Sequence, residues 1–392
     1  MKKLAACLLL LTALSAGAQW HLNFPTQAAC ADAAASVVGP AGGATTCTTS
    51  RTVSIPVPVS ITAHGAKCDG ADDHAAITRA ISAAKAKALP VLIPAGSCAY
   101  SDVIHLDGVK LTGTGDASAL FALNPLRSAI VLQGTGAEVR SLRLTGNATA
   151  RGSTRESSRI VAHGATKWMV DGVLIDNAAG AGIRSDNSSN GTVSNNRITG
   201  TLADSIHITD RSSYITVTGN TIRNSGDDGI AVVSYKPQGG VVHHVTAKGN
   251  TISDNKGGRS MSVVGGSDVL YEGNRMTNNV GAACLYLAQE ASYNTYPVSR
   301  FVGRYNTLAT CGNPAIGHAA VMLFTSGTAG DSNTNVTLTR NDISQAARGI
   351  RVFGSNTGVV LDSNKIDSPQ PLVIQIEGVR VVPYSTGLAG VQ

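Results

Sequence analysis

Hydrophobic residues in this chain recur in short runs, alternating with polar ones over three to five positions. Ile206-His-Ile208, Tyr214-Ile-Thr-Val217, Gly229-Ile-Ala-Val-Val233, Met261-Ser-Val-Val264 and Asp268-Val-Leu-Tyr271 are examples, and Gly, Asn, Asp and Ser separate such runs. Alternation of this kind predicts short strands broken by turns. No helical stripe interrupts them in this region.

A slower rhythm is laid over the first. Asn, any residue, then Ile, Leu or Met occurs at Asn196-Arg-Ile198, Asn220-Thr-Ile222, Asn250-Thr-Ile252, Asn274-Arg-Met276, Asn306-Thr-Leu308, Asn341-Asp-Ile343 and Asn364-Lys-Ile366. Leu144 and Ile175 hold the same register without the Asn. From Leu144 to Ile366 the aliphatic landmarks are spaced 31, 23, 24, 30, 24, 32, 35 and 23 residues apart. A basal period with insertions is the mark of a solenoid. Two or three strands per period cannot close a domain alone, but stacked in parallel each pairs with its equivalent in the next period. The predicted fold is all-β, a right-handed parallel β-helix, its hand taken from the general preference of parallel crossovers. Asn tolerates tight bends and forms stacked hydrogen-bonded ladders, so the recurring Asn is read as structural. Aromatic residues are only 4% of the chain and Gly numbers 43, as a narrow coil filled with small aliphatics requires.

The start of the chain has a different character. Met1-Lys-Lys, the apolar run Leu4 to Leu14 and Ser15-Ala-Gly-Ala18 read as a secretory signal peptide over residues 1–18. No other run is long enough to span a bilayer. The expected location is bacterial, either periplasmic or secreted. Residues 19–60 are an Ala/Thr/Pro-rich extension, and residues 61–392 form the β-helix. Residues 75–88 carry a helical pattern with Ile77, Ala80, Ile81 and Ala84 on one face, and Asp72 or Asp73 is placed to cap it. Such a helix would close the open end of the solenoid.

Six cysteines follow the signal: Cys30, Cys47, Cys68, Cys98, Cys284 and Cys311. An even number in an exported chain implies disulfides. Nearest-neighbour pairing is one of about fifteen connectivities, with Cys284 and Cys311 roughly one coil apart. The formal charge of +6 is consistent with an anionic partner, for which an acidic polysaccharide fits better than nucleic acid, since no nucleic-acid motif is present.

The segment Ala63-His-Gly-Ala-Lys-Cys-Asp-Gly-Ala-Asp-Asp73, the alanine-rich helix and Val91-Leu-Ile-Pro-Ala-Gly96 together resemble the start of the pectate-lyase-like domain of β-helical glycan enzymes. Cys68 stands where that pattern has Gly, and Cys98, just past Pro94-Ala-Gly96, is its natural disulfide candidate. Asp69, Asp72 and Asp73 are read as turn and cap residues.

Aligning the coils on Ile183, Ile206, Ile230, Met261 and Cys284 puts Ala181, Asp204, Asp228, Arg259 and Ala282 two places earlier, with Asp227 beside Asp228. Three carboxylates on neighbouring coils repel, so at least one should have a raised pKa unless a cation sits among them. In a hydrolase one Asp is the general acid and another activates water. In a lyase or uronate epimerase the cluster holds Ca²⁺, with Arg259 or Lys236 as base or charge clamp. Leu202-Ala-Asp204-Ser-Ile, Gly226-Asp-Asp-Gly-Ile-Ala231 and Gly258-Arg-Ser-Met resemble the three motif segments of the polygalacturonase family of inverting glycoside hydrolases. The three Asp positions match. Leu202-Ala203 replaces Asn-Thr, Arg259 replaces His, and the later Arg-Ile-Lys has no counterpart.

The primary expectation is therefore an exported glycoside hydrolase acting on acidic polysaccharide, with Asp204, Asp227, Asp228 and Arg259 catalytic and no cofactor. A Ca²⁺-assisted lyase or epimerase using the same three Asp is the alternative, and a non-catalytic glycan-binding or surface structural β-helix is a third reading. Arg184 and His207 follow the landmarks on the exposed side of their strands. Tyr235, Lys236, Glu290, Tyr293 and Tyr296 fall in insertions that border the same face. All seven are candidate substrate contacts. Tyr286 is placed in the same tyrosine-rich insertion. The Arg151–Arg159 stretch is read as a solvated loop, and His243-His244 as structural.

Overall fold

A computed structural model describes residues 57–326 and 330–384. The chain from Pro58 onward forms one compact unit. The expected signal peptide, nearly all of the expected extension and Cys30 and Cys47 lie outside the described residues.

Three parallel sheets of 14, 11 and 11 strands run along the unit, each strand paired with its equivalents one coil before and one coil after. This is the parallel β-helix that the periodicity predicts. The aliphatic landmarks are direct register partners from Leu144↔Ile175 through Ile198↔Ile222 and Met276↔Leu308 to Ile343↔Ile366. They line the third sheet.

Alternation decides which side chains go inside. Within one coil, Ile206 and Ile208 of the front sheet, Ile215 and Val217 of the back sheet and Ile222 of the third sheet all point inward and are buried. Residues between them face outward. Burying each aliphatic contributes roughly 1.5–3 kcal/mol, and a coil that lacked its neighbours would expose its paired edges.

The recurring Asn does form a ladder. The Asn250 amide N–H and Nδ2 both donate to Oδ1 of Asn274, and Nδ2 also donates to the Val217 carbonyl. The same contacts run from Asn196 through Asn220 and on through Asn306 and Asn341 to Asn364. These side chains satisfy backbone groups at a buried bend that no strand pairing reaches.

The helix, α1 (His74–Lys87), turns Ile77, Ala80, Ile81 and Ala84 onto the end of the solenoid, where all four are buried. Of the two candidate caps, one takes the role. Asp72, not Asp73, accepts from the His74 amide, while Asp73 accepts from the amides of Lys67 and Cys68. The preceding turn thus recruits the carboxylate that the cap position would have used. Disulfides join Cys68 to Cys98 and Cys284 to Cys311. His243 and His244 pack with Tyr214 on the back sheet, consistent with a structural role.

Candidate functional site

The front sheet sets the site's register. Ile183, Ile206, Ile230, Met261 and Leu285 are successive partners. The final landmark is Leu285 rather than Cys284, because the Cys284 side chain turns inward to its disulfide. One corner is therefore shared by Asp204, Asp228 and Arg259, whose carbonyls accept from the amides of Gly182, Ser205 and Gly229 in turn. Oxygens of Asp204, Asp227 and Asp228 lie within 4.8 Å of one another.

Each carboxylate has its own partners. Asp204 Oδ1 accepts from the Asp228 amide at 2.9 Å, and its Oδ2 lies 2.6 Å from His207 Nδ1. Asp228 Oδ1 accepts from the Arg259 amide at 2.7 Å, and its Oδ2 contacts Ser262 Oγ. Asp227 Oδ2 accepts from Arg151 Nη1 at 2.9 Å, and its Oδ1 has no partner among the described residues. Arg259 Nε is 3.4 Å from Asp228 Oδ1, its Nη2 is 3.6 Å from Glu290 Oε1, and its guanidinium lies 4.3 Å over the Tyr286 ring. Tyr286 Oη donates to Glu290 Oε1 at 2.9 Å.

These surroundings push the two buried acids apart. Burial, reinforced by the charges of Asp204 and Asp227 and opposed by Arg259, pushes Asp228 up to about 6. Asp204 is also buried, but the hydrogen bond and charge of His207, the Asp228 amide and Arg151 hold it below the usual carboxylate range. Near pH 5 to 6 one acid keeps its proton while its neighbour is ionised. Two titratable groups with divergent environments are the physical requirement for acid/base pairing.

The acids open into a cavity of about 560 Å³. Its floor is Ala231, Val233 and Val264, and its walls include Arg151, Arg184, His207, Tyr235, Arg259, Glu290 and Tyr293. Two sequence candidates are not there. Lys236 turns away to Asp331 at 2.7 Å, and Tyr296 is half-buried outside the lining. Tyr286 lies within the strand Leu285–Gln289 and is buried, not on an insertion, because outward positions of that strand are covered by the following loop. The Arg151–Arg159 stretch is not a solvated loop. Arg155 pairs with buried Asp186, Arg159 is fully buried, and Arg151 reaches the acids across three coils. Periodicity gave no sign of this, since the loop lies outside the repeat. Ser262 was also missed, although its register beside Ala231 and His207 was legible.

The three Asp have the spacing of a metal cluster, but the donor set does not fit one. Arg151 and Arg259 already place positive charge against Asp227 and Asp228, and the Asp204 oxygens are both engaged. A Ca²⁺ ion would have to displace these partners and sit beside two guanidiniums.

A family model described as right handed beta helix region matches residues 103–239. Solved structures with a similar fold include the catalytic unit of a thermostable GH87 alpha-1,3-glucanase from Streptomyces thermodiastaticus strain HF3-3, at 20% identity and a TM-score of 0.68, covering 83% of this chain and 67% of that one. A GH87 alpha-1,3-glucanase catalytic domain in complex with tetrasaccharides gives 20% identity and a TM-score of 0.67 over 84% and 69%. The surface protein and adhesin PfbA of Streptococcus pneumoniae gives 15% identity and 0.67 over 83% and 100%. No curated protein matches by sequence. At these identities the likeness shows the fold, a right-handed parallel β-helix.

Proposed function

We propose that this protein is an exported glycoside hydrolase that cleaves a neutral polysaccharide in the front-sheet cavity. The observation that carries the reading is the pairing of Asp228, buried with a raised pKa, and Asp204, ionised beside it, at the floor of a sugar-sized cavity. Asp228 protonates the glycosidic oxygen as the bond to the anomeric carbon breaks. Asp227, the most exposed of the three with a 31% exposed side chain, takes a proton from water through its free Oδ1 as that water attacks the anomeric carbon. Asp204 orients the Asp228 backbone and keeps His207 at the cavity wall. Arg259 stabilises the Asp228 carboxylate left after proton transfer.

Charge balance favours a neutral chain over the anionic one suggested by the net charge. Three guanidiniums in the wall, those of Arg151, Arg184 and Arg259, face the carboxylates of Asp204, Asp227 and Glu290, with Asp228 keeping its proton. No cationic excess is left to receive a uronate. The two disulfides support export.

The test is incubation with α-1,3-glucan and with polygalacturonate, with and without chelator. New reducing ends from the glucan, unaffected by chelator, are expected. Ultraviolet absorbance from an unsaturated uronate, abolished by chelator, would establish the lyase. Glycan binding that survives Asp228→Asn, with no product from either form, would establish a binding protein of the adhesin type.

A further inference from the structure

We infer that the front sheet carries a second carbohydrate-binding surface, an aromatic platform of Phe324 and Phe353 that holds the polysaccharide beyond the catalytic cavity; this rests on the hydrolase reading. The two residues are direct partners on successive strands, with ring centroids 4.7 Å apart and planes tilted by 33°. Both remain partly exposed on the outer face.

Their position in the register is the first reason. Val233, Val264, Ala288, Phe324 and Phe353 form one outward column. The column starts on the cavity floor, where Val233 and Val264 line the site. All five residues belong to one apolar cluster separate from the interior core. Farther upstream, strand positions on the same face are filled by polar groups: His163, Asp186 and Thr209. Within this column the residues change from polar to apolar at Val233 and stay apolar up to Phe353.

Direction is the second reason. The cavity is elongated along the solenoid, from Ser158 and Arg184 to Glu290 and Tyr293. Phe324 and Phe353 lie three and four coils beyond Asp228, about 14 and 19 Å at the strand spacing. A pyranose unit is about as long as one such spacing, and the column also stands five residues along the strand from Asp228, so a chain crossing the sheet diagonally from Asp228 reaches the platform with roughly its fifth sugar. Tyr293, 65% exposed, stands on the way. Its loop is tied to the Phe324 strand, the Ala291 amide donating to Ser326 Oγ.

Chemistry is the third. The aliphatic C–H face of a neutral sugar packs on aromatic rings without needing charge. Arg351 lies 4.2 Å over one face of the Phe353 ring and is fixed by Gln375 and the Gly317 carbonyl, which stiffens the pair and leaves the sugar contact to Phe324 and the exposed rim of Phe353. A rigid platform loses little freedom on binding.

The experiment compares wild type with Phe324→Leu, Phe353→Leu and the double variant, which keep apolar bulk but remove the rings. Turnover of α-1,3-glucan oligosaccharides of two to eight units is measured, together with thermal melting and retention in affinity electrophoresis through the polysaccharide. The expected result is unchanged melting, unchanged kcat/KM on the shortest cleavable oligosaccharide, and a loss of about tenfold on the longest for the double variant. Equal chain-length dependence in wild type and folded variants would overturn the platform. If wild type cleaves no glucan, the hydrolase reading fails on its own, and retention decides: weaker retention of the double variant upholds the platform, and equal or absent retention overturns it.

Discussion

The Asp228 amide donates to the Asp204 carboxylate across adjacent coils at 2.9 Å. Two acids that repel through their side chains are thus held together by the backbone of one of them. The parallel ladder fixes their separation, and their different partners divide the proton between them.

Replacing either acid should stop turnover without unfolding the chain. Asp228→Asn removes the proton donor and Asp204→Asn the ionised neighbour. Each is expected to lower kcat by about 10²–10⁴-fold, with circular dichroism unchanged. Full activity in both variants would remove the site assignment.

Asp228 also makes a signed prediction for stability. Its folded pKa of about 6 exceeds the ordinary Asp value of 3.8. The folded state therefore holds this proton more tightly, and the contribution is complete below pH 3.8 and lost as pH rises through 6. Asn mimics the protonated acid at all pH values. Denaturant unfolding should show Asp228→Asn gaining on wild type by roughly 2 kcal/mol between pH 4 and pH 8. A constant difference across that range would show that burial does not raise this group.

The same proton sets the alkaline limb of activity, and Glu290 should move it. Arg259 lies between Asp228 and Glu290. In Glu290→Gln the guanidinium is left to Asp228 alone, which favours its ionised form. The alkaline limb of kcat/KM should shift to lower pH. A change in KM for glycan with no shift of the limb would mean that Glu290 contacts substrate instead.

The Asn ladder should be costly to break. Asn250→Ala strands the amide of Asn220 and the carbonyl of Val217 at a buried bend. The expected loss is about 2–4 kcal/mol in chemical unfolding. A surface control, the exposed Asn147→Ala, should change little.

The solenoid was legible because its cause is local and repeated. Alternation assigns an inside and an outside to each strand, and the period brings Ile198, Ile222 and Ile252 into register without any long-range knowledge. The acid corner followed from the same count, since Asp204, Asp228 and Arg259 keep one offset from one landmark. Tertiary structure decided what breaks the repeat. The reach of Arg151 over 76 residues to Asp227, the turning of Lys236 to Asp331 and the burial of Tyr286 all depend on where insertions fold back on the stack. Insertions have no period, so their contacts are set by three-dimensional packing and charge pairing. The chain's own rhythm placed the acids side by side; only burial and the partners gathered in the folded stack determined which of them keeps its proton, and only the folded loops which cations are already taken.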